Sequence, residues 1–375
     1  MKDKYILTAE SVTAGHPDKL CDTIADSILD ACLKEDPNAR VACEVLATAG
    51  KILVAGELRT TASPDVEAIV RQTVRNAGYD CNYNVEVRLH TQSPDIAGAV
   101  DGDTLGAGDQ GIMYGYACWE TVELLPAPVV LANRITSLLT TCREENLISG
   151  MGPDGKAQVS VQYAFGVPER VDTIVISCQH DADKDPDELR EELRRLVIAR
   201  ACHDVRIDEN TKIFINPSGR FVLGGFEADT GLTGRKLMVD TYGGLAPHGG
   251  GAFSGKVDRS AAYAARYVAK NIVAAGLADV CTVSLAYAIG QAEPVAVEID
   301  TQESGYYDDA FLTEAVRRVF DFTPAGMIRA LDLDKPFFAE VCNNCHFMHP
   351  QAAWEQTDKT EKLRMACAEL EDDRT

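Results

Sequence analysis

The chain lacks any long apolar run. No stretch approaches the roughly 20 apolar residues of a membrane-spanning helix, and residues 1–9 lack the apolar core of a signal peptide. We therefore expect a soluble, cytoplasmic protein. Positive charge is also scarce, since 36 Lys and Arg stand against 58 Asp and Glu, a formal net charge of -22. Because phosphate backbones and anionic lipids repel such a field, we expect neither nucleic acid nor a membrane as a partner.

Paired cysteines are lacking as well. The twelve cysteines lie far apart in apolar segments, a pattern typical of reduced core thiols in an intracellular protein. Only residues 342–346, Cys-Asn-Asn-Cys-His, have the spacing of a metal site. A second cysteine pair, which a structural zinc site usually has, is missing. Plain thiols are therefore favoured over a zinc site.

Length and periodicity predict the architecture. A chain of 375 residues with 46% hydrophobic residues is long enough for two or three domains. A unit of one amphipathic helix, two β-rich runs and a second amphipathic helix occurs three times. The predicted opening helices begin after Asp18 and cover 128–147 and 259–275; the strand pairs are 40–47 with 52–59, 159–165 with 173–180, and 282–289 with 295–300; the closing helices are 64–77, 186–201 and 309–320.

Hairpins followed by helices predict a fold of the α/β class, of the α+β type. Mixed or antiparallel sheets would carry their helices on one face, unlike a doubly wound parallel sheet. We expect an N-terminal domain at 1–97, a central domain at 104–222 and a C-terminal domain at 223–375, with segments that interleave between domains.

The glycine-rich run at 248–256, His-Gly-Gly-Gly-Ala-Phe-Ser-Gly-Lys, is the most informative of the long loops. From Gly250 it reads G-x-x-x-x-G-K, the pattern of a nucleoside triphosphatase phosphate loop. Val257, however, stands where that loop has a Ser or Thr that binds Mg²⁺. A flexible turn, a phosphate loop and a polyphosphate site of another architecture all remain open on this run alone.

Two further segments combine glycine with charge. Residues 15–19, Gly-His-Pro-Asp-Lys, have two interpretations. In the first, Asp18 caps a helix, and the His and Lys are exposed. In the second, a helix N-terminus, an imidazole and a metal-binding carboxylate together bind a polyphosphate. Capping is the commoner case. Asp109, between the glycines of 106–111, belongs either to a strand-entry turn or to a loop whose backbone passes close to a ligand.

Cations set between glycines and apolar residues form the last candidate cluster. Arg220, Arg235 and Lys236 are either solvated surface charges or a triphosphate clamp. Asp258 and Arg259 offer a metal ligand and a further cation directly after the glycine-rich run.

Taken together, these motifs resemble the S-adenosylmethionine synthetase (methionine adenosyltransferase) family over essentially the whole chain. The motifs that carry the resemblance are Gly15-His16-Pro17-Asp18-Lys19, Gln92-Ser93-Pro94-Asp95-Ile96, the segment 106–111, the segment 216–221, Gly231-Leu232-Thr233-Gly234-Arg235-Lys236, Val239-Asp240-Thr241-Tyr242-Gly243-Gly244, the run 248–256 and Asp258-Arg259-Ser260-Ala261-Ala262-Tyr263. Each motif is weak alone, but chance does not explain all of them in order.

The resemblance implies three similar domains about a pseudo-threefold axis, in a homodimer or homotetramer with active sites at the subunit interface. It implies that the sulfur of L-methionine displaces the triphosphate from C5′ of ATP, and that the triphosphate is then hydrolysed to phosphate and diphosphate. It also implies two Mg²⁺ ions per active site and K⁺.

The resemblance also implies the role of individual residues. The catalytic residues are His16, Lys156, Arg235 and Lys256; the ATP contacts are His16, Asp154, Lys156, Arg220, Phe221, Asp229, Arg235, Lys236, Ala252 and Lys256; the methionine contacts are Glu57, Gln92, Asp229 and Lys256; Asp109 is a further substrate contact; Asp18 and Asp258 bind Mg²⁺, and Glu44 binds K⁺.

The chain departs from the family pattern in two places. Family members commonly have Gly-Lys-Asp-Pro-x-Lys-Val-Asp-Arg-Ser where this chain has Gly-Lys-Val-Asp-Arg-Ser at 255–260, so Lys256 aligns with either of two lysines. The stretch between Gln92 and Gly106, which corresponds to the family's active-site gate, is also shorter. A phosphate-loop NTPase and an inactive or regulatory paralogue are the alternatives to the adenosyltransferase.

Overall fold

The computed structural model describes residues 4–91, 105–251, 253 and 257–374. Its strands are β1 (Lys4–Val12), β2 (Arg40–Thr48), β3 (Lys51–Arg59), β4 (Asn84–Thr91), β5 (Gly111–Cys118), β6 (Met151–Ala164), β7 (Val167–His180), β8 (Lys212–Ile215), β9 (Gly231–Leu232), β10 (Val280–Tyr287) and β11 (Ala296–Asp300). Its α-helices are α1 (Pro17–Glu35), α2 (Val66–Asn76), α3 (Ala127–Glu144), α4 (Pro186–Leu193), α5 (Ala199–Ala201), α6 (Leu237–Asp240), α7 (Val257–Ala274), α8 (Asp309–Val319), α9 (Pro324–Ala330), α10 (Phe338–Val341) and α11 (Thr360–Arg374).

The described strands form three sheets, with strand orders β1-β6-β7-β8, β4-β3-β2-β9 and β11-β10-β5. Paired strands are antiparallel except β3 with β4 and β7 with β8, which are parallel. The predicted α/β architecture of mixed and antiparallel sheets is therefore confirmed.

One long helix covers each sheet: α1 packs on β2, α3 on β1 and β6, and α7 on β5 and β10. The alternation of the strands explains this, because in β2 every second residue from Val41 to Ala47 is buried against α1. All three predicted hairpins form, the first and third within a few residues of their expected bounds, whereas both strands of the second begin earlier than predicted, at Met151 and Val167. The long helix expected at 186–201 is α4 and α5 joined by a π-helical turn, Arg194–Ile198.

Each sheet also contains a strand from a distant part of the chain. β1 pairs with β6 from Lys4 opposite Ala164 to Val12 opposite Lys156, β5 pairs with β10, and β9 pairs with β2. The predicted repeat units did not include β1, β4, β5, β8 or β9. The domain boundaries at 97, 104 and 222 stay a prediction, because a sheet that contains a strand from a distant segment has no single limit along the sequence.

The sheet faces turned away from the helices carry exposed apolar side chains. Ile6, Leu46 and Ile112 are 51%, 42% and 49% exposed, one in each sheet. In β5 the opposite face is sealed, since a Cβ on Gly115 would lie 2.0 Å from the Ala265 carbonyl carbon of α7. No helix in the described part of the chain is long and apolar enough to cross a membrane.

Candidate active site

The start of α1 places His16 and Asp18 side by side. His16 is the N-cap residue, and its Nδ1 accepts a hydrogen bond of 3.2 Å from the Asp18 amide. The capping role that the sequence suggested for Asp18 is therefore taken by His16, which leaves the Asp18 carboxylate for other partners. Because Nδ1 is an acceptor, the neutral imidazole carries its proton on Nε2.

Burial and positive charge keep this imidazole neutral. Burial, the larger cause, and the charge of Lys236 lower the pKa of His16 to about 4, Lys156 adds to the shift, and Asp18 and Asp229 oppose it. At pH 7 the ring is therefore a neutral donor through Nε2. The same interactions mean that these five predicted residues converge at one end of α1.

The Asp18 carboxylate gathers the cations of the segment that follows β9. It is 3% exposed, accepts a hydrogen bond of 3.0 Å from the Leu232 amide and lies 2.6 Å from Lys236 Nζ and 3.6 Å from Arg235 Nε. The buried Asp18 carboxylate thus places Arg235 and Lys236 at the start of α1, next to His16.

Strand β6 contributes Asp154 and Lys156 from the neighbouring sheet. Lys156 Nζ lies 3.1 Å from a Glu10 carboxylate oxygen, and both side chains are about half exposed. Asp154 accepts a hydrogen bond of 2.9 Å from the Gly225 amide. Burial raises the pKa of Asp154 to about 6, the Gly225 amide lowers it and Asp229 raises it further. Asp154 thus joins β6 to the loop that carries Asp229.

The loop between β8 and β9 carries the other predicted ATP contacts. The Phe221 amide donates to His180 Nε2 at 3.2 Å, and the His180 amide donates back to the Phe221 carbonyl at 2.9 Å. Arg220 and Asp229 are exposed. Gln179 connects this loop to Asp154, because its side chain accepts from the Asp154 amide and donates to the carbonyl that follows Phe221.

A cavity of about 320 Å³ contains another group of predicted residues. Glu57 and Asp109 line it together with the start of α7. The cavity touches α1 at Leu29 and Leu33, whereas His16 caps the other end of this helix. At a rise of 1.5 Å per residue these points are roughly 20 Å apart. The predicted methionine contact Glu57 is therefore distant from His16 within one chain.

Residues 249 and 251 of the glycine-rich run pack against β5 and Asp258, respectively. A Cβ on Gly249 would lie 1.6 Å from the Ile112 carbonyl oxygen, and one on Gly251 would lie 2.1 Å from Asp258 Oδ1. Gly250 has a φ of +82°, which disfavours a side chain. Close packing explains these glycines without a phosphate. Since the strands under α7 are all antiparallel, a phosphate-loop NTPase, which needs a parallel βαβ unit, finds no support.

Glu44 projects from the exposed face of β2 and accepts a hydrogen bond from the Thr233 hydroxyl. It lines a small cavity with Asp22, Asp26 and Asp240. The predicted K⁺ ligand is therefore close to the segment that carries Arg235.

Three predicted contacts, Gln92, Ala252 and Lys256, lie outside the described residues. The same is true of most of the shortened stretch between Gln92 and Gly106, and of the junction at Gly255.

Two cations that the sequence suggested as substrate contacts instead pair with buried carboxylates of the protein. Lys19 is fully buried, with Nζ 2.7 Å from Asp240 Oδ1. Arg259 is 2% exposed and donates to both carboxylate oxygens of Asp26, at 2.6 and 2.7 Å. Neither is the surface or phosphate-facing cation that the sequence suggested. The spacing of Lys19, Asp22 and Asp26 along one stripe of α1 was the available signal of a buried charge cluster.

Three family models match consecutive parts of the chain. The S-adenosylmethionine synthetase N-terminal domain matches residues 4–102, the central domain residues 104–221, and the C-terminal domain residues 223–356. The fold and this complete set of domains define an enzyme of the transferase class.

The chain belongs to the S-adenosylmethionine synthetase family. Its activity is that of a methionine adenosyltransferase, with ATP and L-methionine as substrates, and the family uses metal ions. The resemblance drawn from the motifs is confirmed. No feature of the described residues favours an inactive or regulatory paralogue.

Proposed function

We propose that the site around His16 holds the triphosphate of ATP while the methionine sulfur attacks C5′. The observation that carries the proposal is a neutral His16, with its proton on Nε2, beside Lys156 and Lys236. A thioether is a neutral nucleophile that needs no base, so the rate depends on alignment and on stabilising the leaving group. The S–C5′ bond forms as the C5′–O bond breaks, and the triphosphate leaves with the bonding electron pair.

Each side chain has a distinct task in this scheme. His16 Nε2 donates to the oxygen that bridges C5′ and the triphosphate, where negative charge develops. Lys156, Arg235 and Lys236 contact the phosphates and stay in place for the second step, in which water splits the triphosphate into phosphate and diphosphate. Further ATP contacts come from Asp154, Arg220, Phe221, Asp229, Ala252 and Lys256, and Lys256 is also a catalytic phosphate contact.

We propose Mg²⁺ as a cofactor, with two ions per active site bound by Asp18 and Asp258. Within the described ranges, no group of three or more His, Cys, Asp or Glu side chains is arranged to hold a metal ion. One or two carboxylates suffice for Mg²⁺, which keeps several waters and takes further ligands from substrate phosphates. When bound, the ions would neutralise charge on the phosphates. Asp18 suits this role because it is held beside the phosphate-binding cations.

For K⁺ we propose Glu44 as a ligand. Its carboxylate is exposed and neighbours Thr233, two residues before Arg235. A monovalent cation there would reach the same segment as the triphosphate without competing for Asp18.

One active site needs two protomers in this proposal. In this proposal Asp18 and Asp258 bind ions on the same triphosphate. Asp18 lies at the His16 end of α1, whereas Asp258 lies at the start of α7, which lines the cavity. These two places are roughly 20 Å apart in one chain. A second protomer removes the conflict by bringing its own Asp109, Asp258 and Glu57 to the first protomer's His16. The methionine contacts are then Glu57, Gln92, Asp229 and Lys256.

The exposed apolar faces of the three sheets support a homodimer, which two dimers can extend to a homotetramer. Ile6, Leu46 and Ile112 lie on faces that no helix of the described chain covers, and a symmetric dimer would bury them together. We also propose a cytoplasmic location. All twelve cysteines are unpaired, which suits a reducing compartment.

Mixed oligomers test the two-protomer site. His16→Ala and Asp109→Ala disable opposite halves of each site, so each variant alone should form little S-adenosylmethionine. When the two are unfolded and refolded together, half of the dimers contain both chains and one intact site, so about a quarter of the wild-type rate should return. Reaction mixtures contain ATP, methionine, Mg²⁺ and K⁺. No recovery, with mixed dimers demonstrated by differently sized tags, would mean that one chain holds a whole site.

A further inference from the structure

The segment that carries Arg235 and Lys236 is fixed at both ends. Before it, the Gly234 amide donates to Asp22 Oδ1 at 2.9 Å. After it, the short helix α6 ends at Asp240, whose carboxylate is 2% exposed and lies 2.7 Å from Lys19 Nζ. Without these two anchors the segment could bend at Gly234, which has a φ of +74°.

A single buried ammonium joins the two anchors. Lys19 Nζ lies 2.7 Å from Asp240 Oδ1 and 3.4 Å from Asp22 Oδ2, and its side chain is 1% exposed. The Lys19 ammonium therefore links the two points at which the segment with Arg235 and Lys236 is fixed.

We propose that Lys19, Asp22 and Asp240 act as a positioning clamp, which fixes Arg235 and Lys236 for the triphosphate. The inference rests on the proposed contact of these two cations with the triphosphate. Donors that are already in place cost no reorganisation when charge develops on a leaving group. A displacement of about 1 Å can cost about a hundredfold in rate. The clamp touches no substrate, so it acts only through the segment that it holds.

A merely structural ion pair is the competing explanation, and the chain offers a matched control. Lys270 is 8% exposed, and its Nζ lies 2.6 Å from Glu355 Oε2. Glu355 has a second cation, Arg266, at 2.8 Å. Lys270 lies in α7, and its partner is outside the segment 234–240. Removing either lysine takes a buried ammonium from a carboxylate, but only the loss of Lys19 should disturb Arg235 and Lys236.

The first test compares Lys19→Met with Lys270→Met, well below the unfolding temperature of each. Both variants should unfold at a lower temperature than the wild type. Lys19→Met should reduce kcat for S-adenosylmethionine formation by about tenfold to a hundredfold, and should also slow hydrolysis of added tripolyphosphate, with little change in the KM for methionine. Lys270→Met should keep a kcat near the wild-type value. Equal kcat values in the two folded variants would overturn the clamp.

A milder pair keeps the inference testable if Lys19→Met does not fold. Asp22→Ala removes the acceptor of the Gly234 amide, whereas Asp22→Asn keeps an amide oxygen in the same place. We expect Asp22→Ala, which loses both the acceptor of the Gly234 amide and the contact with Lys19, to lower kcat about tenfold or more. Asp22→Asn, which loses only the ionic contact with Lys19, should lower kcat less. Equal kcat in both variants would overturn the clamp. Lys236→Met distinguishes failure of the proposed phosphate contact from failure of the clamp. If Lys236→Met leaves tripolyphosphate hydrolysis unchanged, the proposed phosphate contact is wrong. If Lys236→Met slows hydrolysis but Asp22→Ala does not, only the clamp is wrong.

Discussion

His16→Ala should slow the first chemical step far more than the second. The first step breaks the C5′–O bond and puts charge on the oxygen that His16 Nε2 faces in our proposal. The second step breaks a bond between phosphates, where in our proposal Lys156, Arg235 and Lys236 stabilise the negative charge. A donor that acts on one step alone leaves the other nearly unchanged.

The expected size of the effect follows from the chemistry of the site. Removing one donor from a developing oxyanion costs about a hundredfold to a thousandfold in kcat, or about 2.7 to 4 kcal/mol. The same substitution also removes the N-cap of α1, which costs about 1 kcal/mol of folding free energy. The loss of the cap should lower the unfolding temperature without favouring one chemical step over the other.

His16→Asn separates these two effects. The Asn side-chain oxygen can accept from the Asp18 amide and so restore the cap, but its shorter side chain cannot place a donor where Nε2 lies. We expect His16→Asn to recover the wild-type unfolding temperature and to remain as slow as His16→Ala in forming S-adenosylmethionine. The assay is single-turnover product formation beside steady-state hydrolysis of added tripolyphosphate.

The pH dependence gives an independent check. Because the pKa of His16 is about 4, its ring stays neutral from pH 6 to 9, and the single-turnover rate should show no ionisation of this histidine in that range. An ordinary histidine would titrate near pH 6.5. Equal losses in the two chemical steps of His16→Ala, or a wild-type rate that falls below pH 6.5 and loses this dependence in His16→Asn, would refute the leaving-group role.

The remaining predictions concern the metal ions. Asp18→Asn and Asp258→Asn should each raise the Mg²⁺ concentration for half-maximal activity about tenfold or more, because each loses a charged ligand. Asp30→Asn is the control, since Asp30 is a partly buried carboxylate elsewhere on α1. An unchanged Mg²⁺ titration of Asp18→Asn would exclude Asp18 as a ligand. Glu44→Gln should weaken activation by K⁺ and leave the Mg²⁺ titration as it is. A K⁺ titration identical to that of the wild type would assign K⁺ to other residues.

Short-range patterns predicted six helices and three hairpins, because periodicity and turn residues act over a few positions. They missed α6, α9, α10 and α11. They could not predict which strands share a sheet. The apolar residues that follow the 106–111 segment form β5, but nothing near them indicates that their partner is β10, more than 160 residues later. β1 was missed for a related reason, since its partner β6 begins about 140 residues after it ends. Long-range pairing depends on tertiary packing, which one sequence does not encode locally.

The candidate site was predictable where glycine, charge and a helix start coincide, as at His16 and Asp18. It was not predictable where burial decides the role of a charge. Lys19 follows Asp18 directly, yet the Asp18 carboxylate lies beside Lys236 and the Lys19 ammonium is enclosed with Asp240. The contact that encloses Lys19 joins residues 221 positions apart in sequence. In the glycine-rich run a sequence pattern suggested a function that the structure does not require. Gly249 and Gly251 pack tightly on Ile112 and Asp258, so packing alone explains glycines that resemble a phosphate loop.

The exchange of strands between distant segments also bears on how the chain folds during synthesis. β1 leaves the ribosome first, but its partner β6 appears only after about 140 further residues, a delay of roughly 7 to 30 s at the usual rate of translation. β5 waits still longer for β10. Until then both nascent strands expose unpaired edges that invite aggregation. A chain that stalls at the end of the central segment would leave β5 without its partner, so we expect nascent-chain chaperones to matter more for this enzyme than for one whose domains close in sequence order.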